Sequence, residues 1–291
     1  MRLLFSCLAN TLSVLRVTTL CKLYENALSF FSKADANSRM SNGSRTVLMI
    51  AASLGFSEIL RILLSQGASI NASDSDGNFA IHLAAECGQL ECVRLLMEKR
   101  CLANVGNKLY HTPLMLAAAE GHIHIVNHLL DNGVNMAYKL NKNKESELSL
   151  AALNNHSEIV KVLTGRANVD INRQEELNAT YSLALLDSSN EVIEALLFAG
   201  ADVNYCMIAK VPTIFIAISR KNVQIVKTLH KYGVDLNAVV EDGYSALMYA
   251  TAEGDVEIVK YLVSHGKQKF VACHTIIAFF VQFQSPQIEK L

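Results

Sequence analysis

Nine histidines and seven cysteines are the side chains of this 291-residue sequence best suited to chemistry. His124 and His128 stand four residues apart, with His122 close by. On a helix that spacing brings two imidazoles to one face, where they can hold a metal. No cysteine or carboxylate is placed to complete the set, so surface or capping histidines are expected and no metal or cofactor is assigned. Cys87, Cys92 and Cys101 have neither Cys-x-x-Cys spacing nor a following histidine pair. With Cys7, Cys21, Cys206 and Cys273 they form an odd, irregular set, read as free buried thiols in a reducing compartment. The carboxylate pairs Glu145/Glu147 and Glu175/Glu176 are expected in solvated loops between helical units. No nucleophile elbow, glycine-lysine phosphate loop or dinucleotide fingerprint is found, so no catalytic residue is assigned and enzyme activity is not expected.

The bulk numbers point the same way. A net charge of −1 and a pI near 6.7 do not suit a protein that neutralises phosphates or coats an anionic membrane. Half the residues are apolar, yet tryptophan is absent and aromatics are 7%. Such a core of Leu, Ile, Val and Ala fits thin stacked helices. Residues 1–17 weakly imitate a secretory signal, but Arg16 and several Ser, Thr and Asn residues interrupt the leucines and no clean cleavage site follows. No apolar run reaches the roughly 18 residues that span a bilayer; Phe270 to Phe283 comes nearest and contains His274, Thr275 and Gln282.

The elements that must position any functional residue repeat along the chain. Alanines 51, 84, 117, 151, 184, 217 and 250 are separated by 33, 33, 34, 33, 33 and 33 residues. Self-similarity at that period marks a solenoid, in which no unit can bury its apolar face alone. In residues 111–135 a short helix is expected from Thr112, which can cap it, and Pro113, which suits its first turn. Small residues follow (Ala84-Ala85, Ala117-Ala118), and Gly55, Gly88, Gly121 and Gly254 turn the chain. A second helix carries one apolar stripe, as in Ile125, Val126, Leu129 and Leu130. Gly67, Gly133, Gly200, Gly233 and Gly266 end it, and Asn71, Asn135, Asn204 and Asn237 lead into turn-forming segments such as Asp74 to Gly77.

The residues read T-P-L-M-L-A-A, then E-G-H, I-V-x-x-L-L and G-x-x-N, and so the chain resembles the ankyrin-repeat family over about residues 41–266, in seven units. The resemblance implies an all-α solenoid of stacked helix-turn-helix units with short hairpin loops along one edge. His82 falls where such repeats place a histidine that bonds neighbouring loop backbone. Residues 1–40 are expected to be a degraded N-terminal capping repeat or leader, and 267–291 a hydrophobic C-terminal cap or broken eighth unit. Lys144 to Ala151 is similar to the large multiple-ankyrin proteins that also carry a KH domain, although no Gly-x-x-Gly loop is present.

The units are unequal. Arg100, Asn155, Ser188 and Lys221 stand where glycine is expected, Pro212-Thr213 inverts the usual order, and one residue is added in the fourth unit. The centre of the array is therefore expected to be its softest part.

The resemblance further implies a protein-interaction scaffold, cytoplasmic and with a protein partner. Contacts would come from hairpin tips and groove-facing first-helix positions: Ser75, Asp76, Asn78, Glu86 and Cys87; Lys108, Leu109, His111, Ala119 and Glu120; Glu241, Asp242, Tyr244 and Glu253. Asn71, Asn135, Asn204 and Asn237 match sites that an asparaginyl hydroxylase can modify in such families. An RNA-associated regulator akin to the KH-bearing proteins, or a membrane-associated protein using its apolar ends, is the alternative. Near-neutral charge speaks against both nucleic acid and membrane.

Overall fold

The computed structural model describes residues 36–39, 44–136, 140–166, 171–206, 211–240 and 243–266. Of the expected end segments 1–40 and 267–291, all but residues 36–39 lie outside the described residues, with Cys7, Cys21 and Cys273, as do Glu241 and Asp242. Fourteen helices in seven pairs account for the described chain, with two isolated β-bridges, Arg39 with Thr46 and Val239 with Ser245. In order the helices are α1 (Val47–Leu54), α2 (Ser57–Ser65), α3 (Ala80–Glu86), α4 (Leu90–Glu98), α5 (Pro113–Ala119), α6 (Ile123–Asp131) and α7 (Glu147–Leu153). Then come α8 (Ser157–Arg166), α9 (Ile171–Asp187), α10 (Asn190–Phe198), α11 (Thr213–Ser219), α12 (Val223–Lys231), α13 (Ala246–Ala252) and α14 (Val256–His265). No described helix is long and apolar enough to cross a membrane.

The chain divides into two compact units, Met1–Ala117 with His128–Asn135, and Ala118–Asn127 with Met136–Leu291. In the first, α1 packs on α2 and α3, and α4 on α2 and α3. Ala52, Ala84 and Ala85 are completely buried, so that a larger side chain would force consecutive first helices apart. The second helices contribute Leu60 and Leu63, then Cys92, Val93 and Leu96, to the same core. The thiols of Cys92 and Cys101 are pushed up to about 11 and about 12 by burial, which leaves them protonated and unreactive.

In the second unit α7 packs on α8 and α9, α9 on α10 and α11, and the pattern runs on through α13 and α14. Ala151, Ala184, Ala217 and Ala250 continue the buried column. Serine and threonine start the first helices as expected: the hydroxyls of Thr46, Thr112, Ser146 and Ser245 accept the N–H three residues on. The inverted Pro212-Thr213 works differently. Thr213 opens α11 and its buried hydroxyl donates to Val203 O at 2.8 Å, tying the helix to the linker after α10.

One first helix departs from the rest. Helix α9 has 17 residues where most of its counterparts have seven, because its amino-terminal half replaces a hairpin. Arg173, Gln174, Glu175, Glu176 and Leu177 are good helix formers with no glycine or proline among them. Leu177 and Tyr181, one turn apart, bury themselves against the core, and Tyr181 donates to Val203 O. The carboxylates expected in loops are therefore corrected. Glu175 and Glu176 lie on α9, and Glu147 is the buried first residue of α7.

Of the four positions lacking an expected glycine, three are left-handed: Arg100 (φ 58°), Asn155 (φ 62°) and Lys221 (φ 50°). Each holds a strain of about 1 kcal/mol. Ser188 escapes it. Its hydroxyl is buried and donates to Ala152 O, while its carbonyl accepts from Arg220.

Glycine is needed at Gly121, where φ is +83° and an added Cβ would meet the His156 ring at 2.6 Å. That ring is anchored by His156 Nε2 on Ala119 O at 3.0 Å. Gly254 has the same backbone sign and open space around it. Gly254→Ala is expected to cost about 1 kcal/mol and Gly121→Ala distinctly more, compared by urea denaturation.

Candidate functional site

Three hairpin tips are each built around one side chain. In the first unit Asp74 Oδ1 accepts the N–H groups of Asp76 and Asn78 at 2.9 and 2.8 Å. Asn107 Oδ1 does the same for Leu109 and His111 at 2.9 and 3.0 Å. Such a loop closed on its own Asx side chain resists opening. The two tips are cross-linked: Asn107 Nδ2 donates to Asn78 Oδ1 at 2.8 Å and Lys108 N to Asp76 O at 3.0 Å. Asn141 closes the corresponding tip of the second unit, accepting from Asn143 and Glu145. Asp74, Asn107 and Asn141 are 33 and 34 residues apart, so the same period that revealed the helices could have revealed them.

This construction sorts the residues expected from the sequence. Ser75, Asp76, Lys108 and Leu109 are exposed, His111 is half-buried, and Asp76 and Lys108 are neighbours. Asn78 is buried and its amide is spent inside the tip, so it supports the surface and does not form it. Glu86 and Cys87 are exposed at the end of α3, Ala119 is half-buried and Glu120 exposed at the end of α5. In the second unit Tyr244 is exposed, and half-buried Glu253 pairs with Lys221 at 3.5 Å. Asn71, Asn135 and Asn204 are exposed and Asn237 half-buried. Asn71 Oδ1 already accepts Leu102 N at 3.0 Å.

Several surface residues were not anticipated. Tyr110 is 59% exposed beside Leu109, with φ at +64°, the left-handed conformation that Ser44, Gly77, Lys144 and Gly243 also take at the matching place in their tips. A bulky side chain there is strained where glycine is not. In the second unit Leu153 and Leu186 occupy equivalent places on the packed helices α7 and α9 and are 40% and 45% exposed, with Leu183 one turn before Leu186. Two residues past the alanine column, these positions had a readable period, but leucine in a leucine-rich helix carries no sign of facing water.

His82 is fully buried. Its Nδ1 accepts the Phe79 N–H at 3.2 Å and its Nε2 donates to Val105 O at 2.9 Å, which fixes the neutral tautomer and ties α3 to the linker before α5. Among the described residues no group of three His, Cys, Asp or Glu could hold a metal.

Three copies of the ankyrin-repeats family pattern match residues 19–107, 99–175 and 182–272. This chain belongs to the ankyrin-repeat family. It is 32% identical over 255 residues to the ankyrin repeat and KH domain-containing protein mask-1 of Caenorhabditis elegans, covering 76% of this chain and 10% of that protein. It is 24% identical over 287 residues to the ankyrin repeat domain-containing protein SAT10 of Stachybotrys chartarum, covering 84% and 15%. The chain thus spans about a tenth to a seventh of these relatives' length. The human ASB11 ankyrin repeat domain has the same fold, with a TM-score of 0.62 and 23% identity over 76% of this chain and 97% of that one. Ankyrin repeats generally serve as protein–protein interaction modules.

Within the ankyrin array His82 makes a pH-sensitive tie. Burial, its largest influence, lowers the imidazole from 6.5 to about 4, against the opposing pull of the Val105 carbonyl. A lowered folded value means that the neutral ring's contribution is complete above about 6.5 and is lost as pH falls through about 4. Acidification from pH 7 to 4 is expected to remove about 3 kcal/mol through this residue. His82→Gln, which keeps a donor for Val105 O, flattens the slope when urea midpoints are compared across that range.

Proposed function

We propose that the chain is a protein-interaction scaffold that binds a protein partner through its hairpin tips and first-helix ends. The observation that carries this is Tyr110, held strained and exposed on a tip that Asn107 keeps rigid. An exposed aromatic carried on a rigid backbone gives a large contact area of the kind that dominates interfaces. Leu109, Lys108, Asp76 and Ser75 surround it, and Glu86 and Glu120 extend the proposal to the first-helix ends. In the second unit Leu153, Leu183 and Leu186 offer an apolar strip, and Tyr244 and Glu253, with Glu241 and Asp242 outside the described residues, complete the proposed set.

The assignment includes a cytoplasmic site of action, a folded array within about residues 41–266 and capping roles for the segments on either side. It also includes hydroxylation of Asn71, Asn135, Asn204 or Asn237, which intact mass measurement of the native protein would show as an added oxygen. The mask-1 relative's printed name includes a KH domain. An RNA-associated role would be supported by affinity for RNA that falls steeply with salt.

Tyr110→Gly separates folding from binding. It is expected to raise stability by about 1 kcal/mol while weakening retention of proteins captured from the native host by the full chain. Unchanged capture by this variant and by Leu109→Asp would overturn the choice of face.

A further inference from the structure

Glu147 occupies the place that Ala80, Pro113, Thr213 and Ala246 fill in other pairs, the first position of a short helix, and like them it is buried, at 5% exposed, but it alone of these five carries an ionisable side chain. Its charged neighbours, Arg173 and Glu176, come from the helical extension of α9, which stands where other linkers make open hairpins, and α9 packs on α7. Its Oε2 is sealed from solvent and has no hydrogen-bond partner, which singles it out among the described side chains. An ionised carboxylate with a dry, unbonded oxygen is costly, and the neutral acid far less so.

The charged groups around it do not compensate. From α9, Arg173 approaches, but its Nη2 is committed to Leu163 O at 2.8 Å. Glu176 on the same helix adds a like charge, and Glu175 is exposed. From α8, Glu158 and Lys161 pair with each other at 2.7 Å in solvent, and Arg166 reaches Asn127 at 3.0 Å. Glu145, just before α7, accepts from Asn141 Nδ2 at 2.8 Å.

We infer that Glu147 is a proton-operated latch between α7 and the amino-terminal turns of α9, closed when its carboxyl is protonated and loosened when it ionises. The closed state needs no partner for an anion. Ionisation is relieved by letting water in, and the part free to yield is the adjoining segment 171–179, since α7 is fixed in the stack by Leu148, Ala151 and Ala152. Burial is the main influence and pushes this carboxyl from 4.5 up to about 7, with Glu176 adding to it and the residue's own backbone N–H and Arg173 opposing. The folded value lies above the unfolded one. The latch's contribution is therefore complete below about 4.5 and is lost as pH rises through about 7. This is opposite in sign to His82. The latch does not depend on whether the adjoining leucines bind a partner.

Hydrogen–deuterium exchange of the full chain between pH 5.5 and 8.5, corrected for intrinsic exchange, tests it. The amides of 171–179 are expected to lose protection by at least about tenfold across that range, while those of α13 and α14 keep theirs. Glu147→Gln, folded as judged by circular dichroism, should abolish the change, and Glu176→Gln should move it to lower pH. An independent reading is the carboxyl 13C titration of Glu147 in the native chain, expected near neutrality. Identical exchange profiles in wild type and Glu147→Gln, or a Glu147 midpoint in the ordinary carboxylate range, would overturn the latch.

Discussion

Close approach of consecutive first helices through paired alanines is the constraint on which the other features depend. Ala52, Ala84, Ala85, Ala117, Ala118, Ala151, Ala152, Ala184, Ala217 and Ala250 have essentially no exposed surface. No single helical pair can bury its own apolar face, so each borrows its core from its neighbours, and stability is a sum of local terms and nearest-neighbour contacts. That is why a 33-residue period survives although the sequence between the alanines varies widely. It also explains why ties such as His156 on Ala119 O and Arg220 on Ser188 O run from one helical pair to the one before.

Stacking fixes the helices and leaves the linkers to be organised separately. Where a linker has Asp or Asn at the right place, its oxygen gathers two N–H groups and the tip becomes rigid, as at Asp74, Asn107 and Asn141. Where it has helix formers instead, the linker joins the helix, as at α9, and brings Arg173 and Glu176 beside Glu147. Binding surface and proton latch are two outcomes of the same choice. One linker displays Leu109 and Tyr110, and the other runs as a helix beside the buried, unbonded Glu147 oxygen.

Much of this was legible in the residues. The alanine period, the Thr112 and Pro113 start, the glycine turns and the role of His82 follow from local rules that the stack reinforces, and the structure keeps them. Three things were not legible, each for a tertiary reason. The helix over 171–187 was masked by the strong expectation of a hairpin in every linker, although the missing glycine and proline were a signal. Glu147 read as a solvated loop residue because a glutamate gives no sign that it opens a helix at a register position the stack buries, as it does Ala80 and Pro113. Asn78 read as a surface contact because sequence cannot show that its amide would be used by Asn107 from the next tip. The exposure of Leu153 and Leu186 depends on which side of α7 and α9 faces the neighbouring helices, and composition alone does not reveal that.

Site-resolved hydrogen exchange on an Ala84→Leu variant of the full chain tests the central claim most directly. The added bulk falls where Ala84 is completely buried between first helices. Nearest-neighbour stacking predicts lost protection in α1, α3 and α4, with the amides of α12 to α14 exchanging as in the wild type. Equal loss of protection along the whole chain, or none at α1, would contradict it.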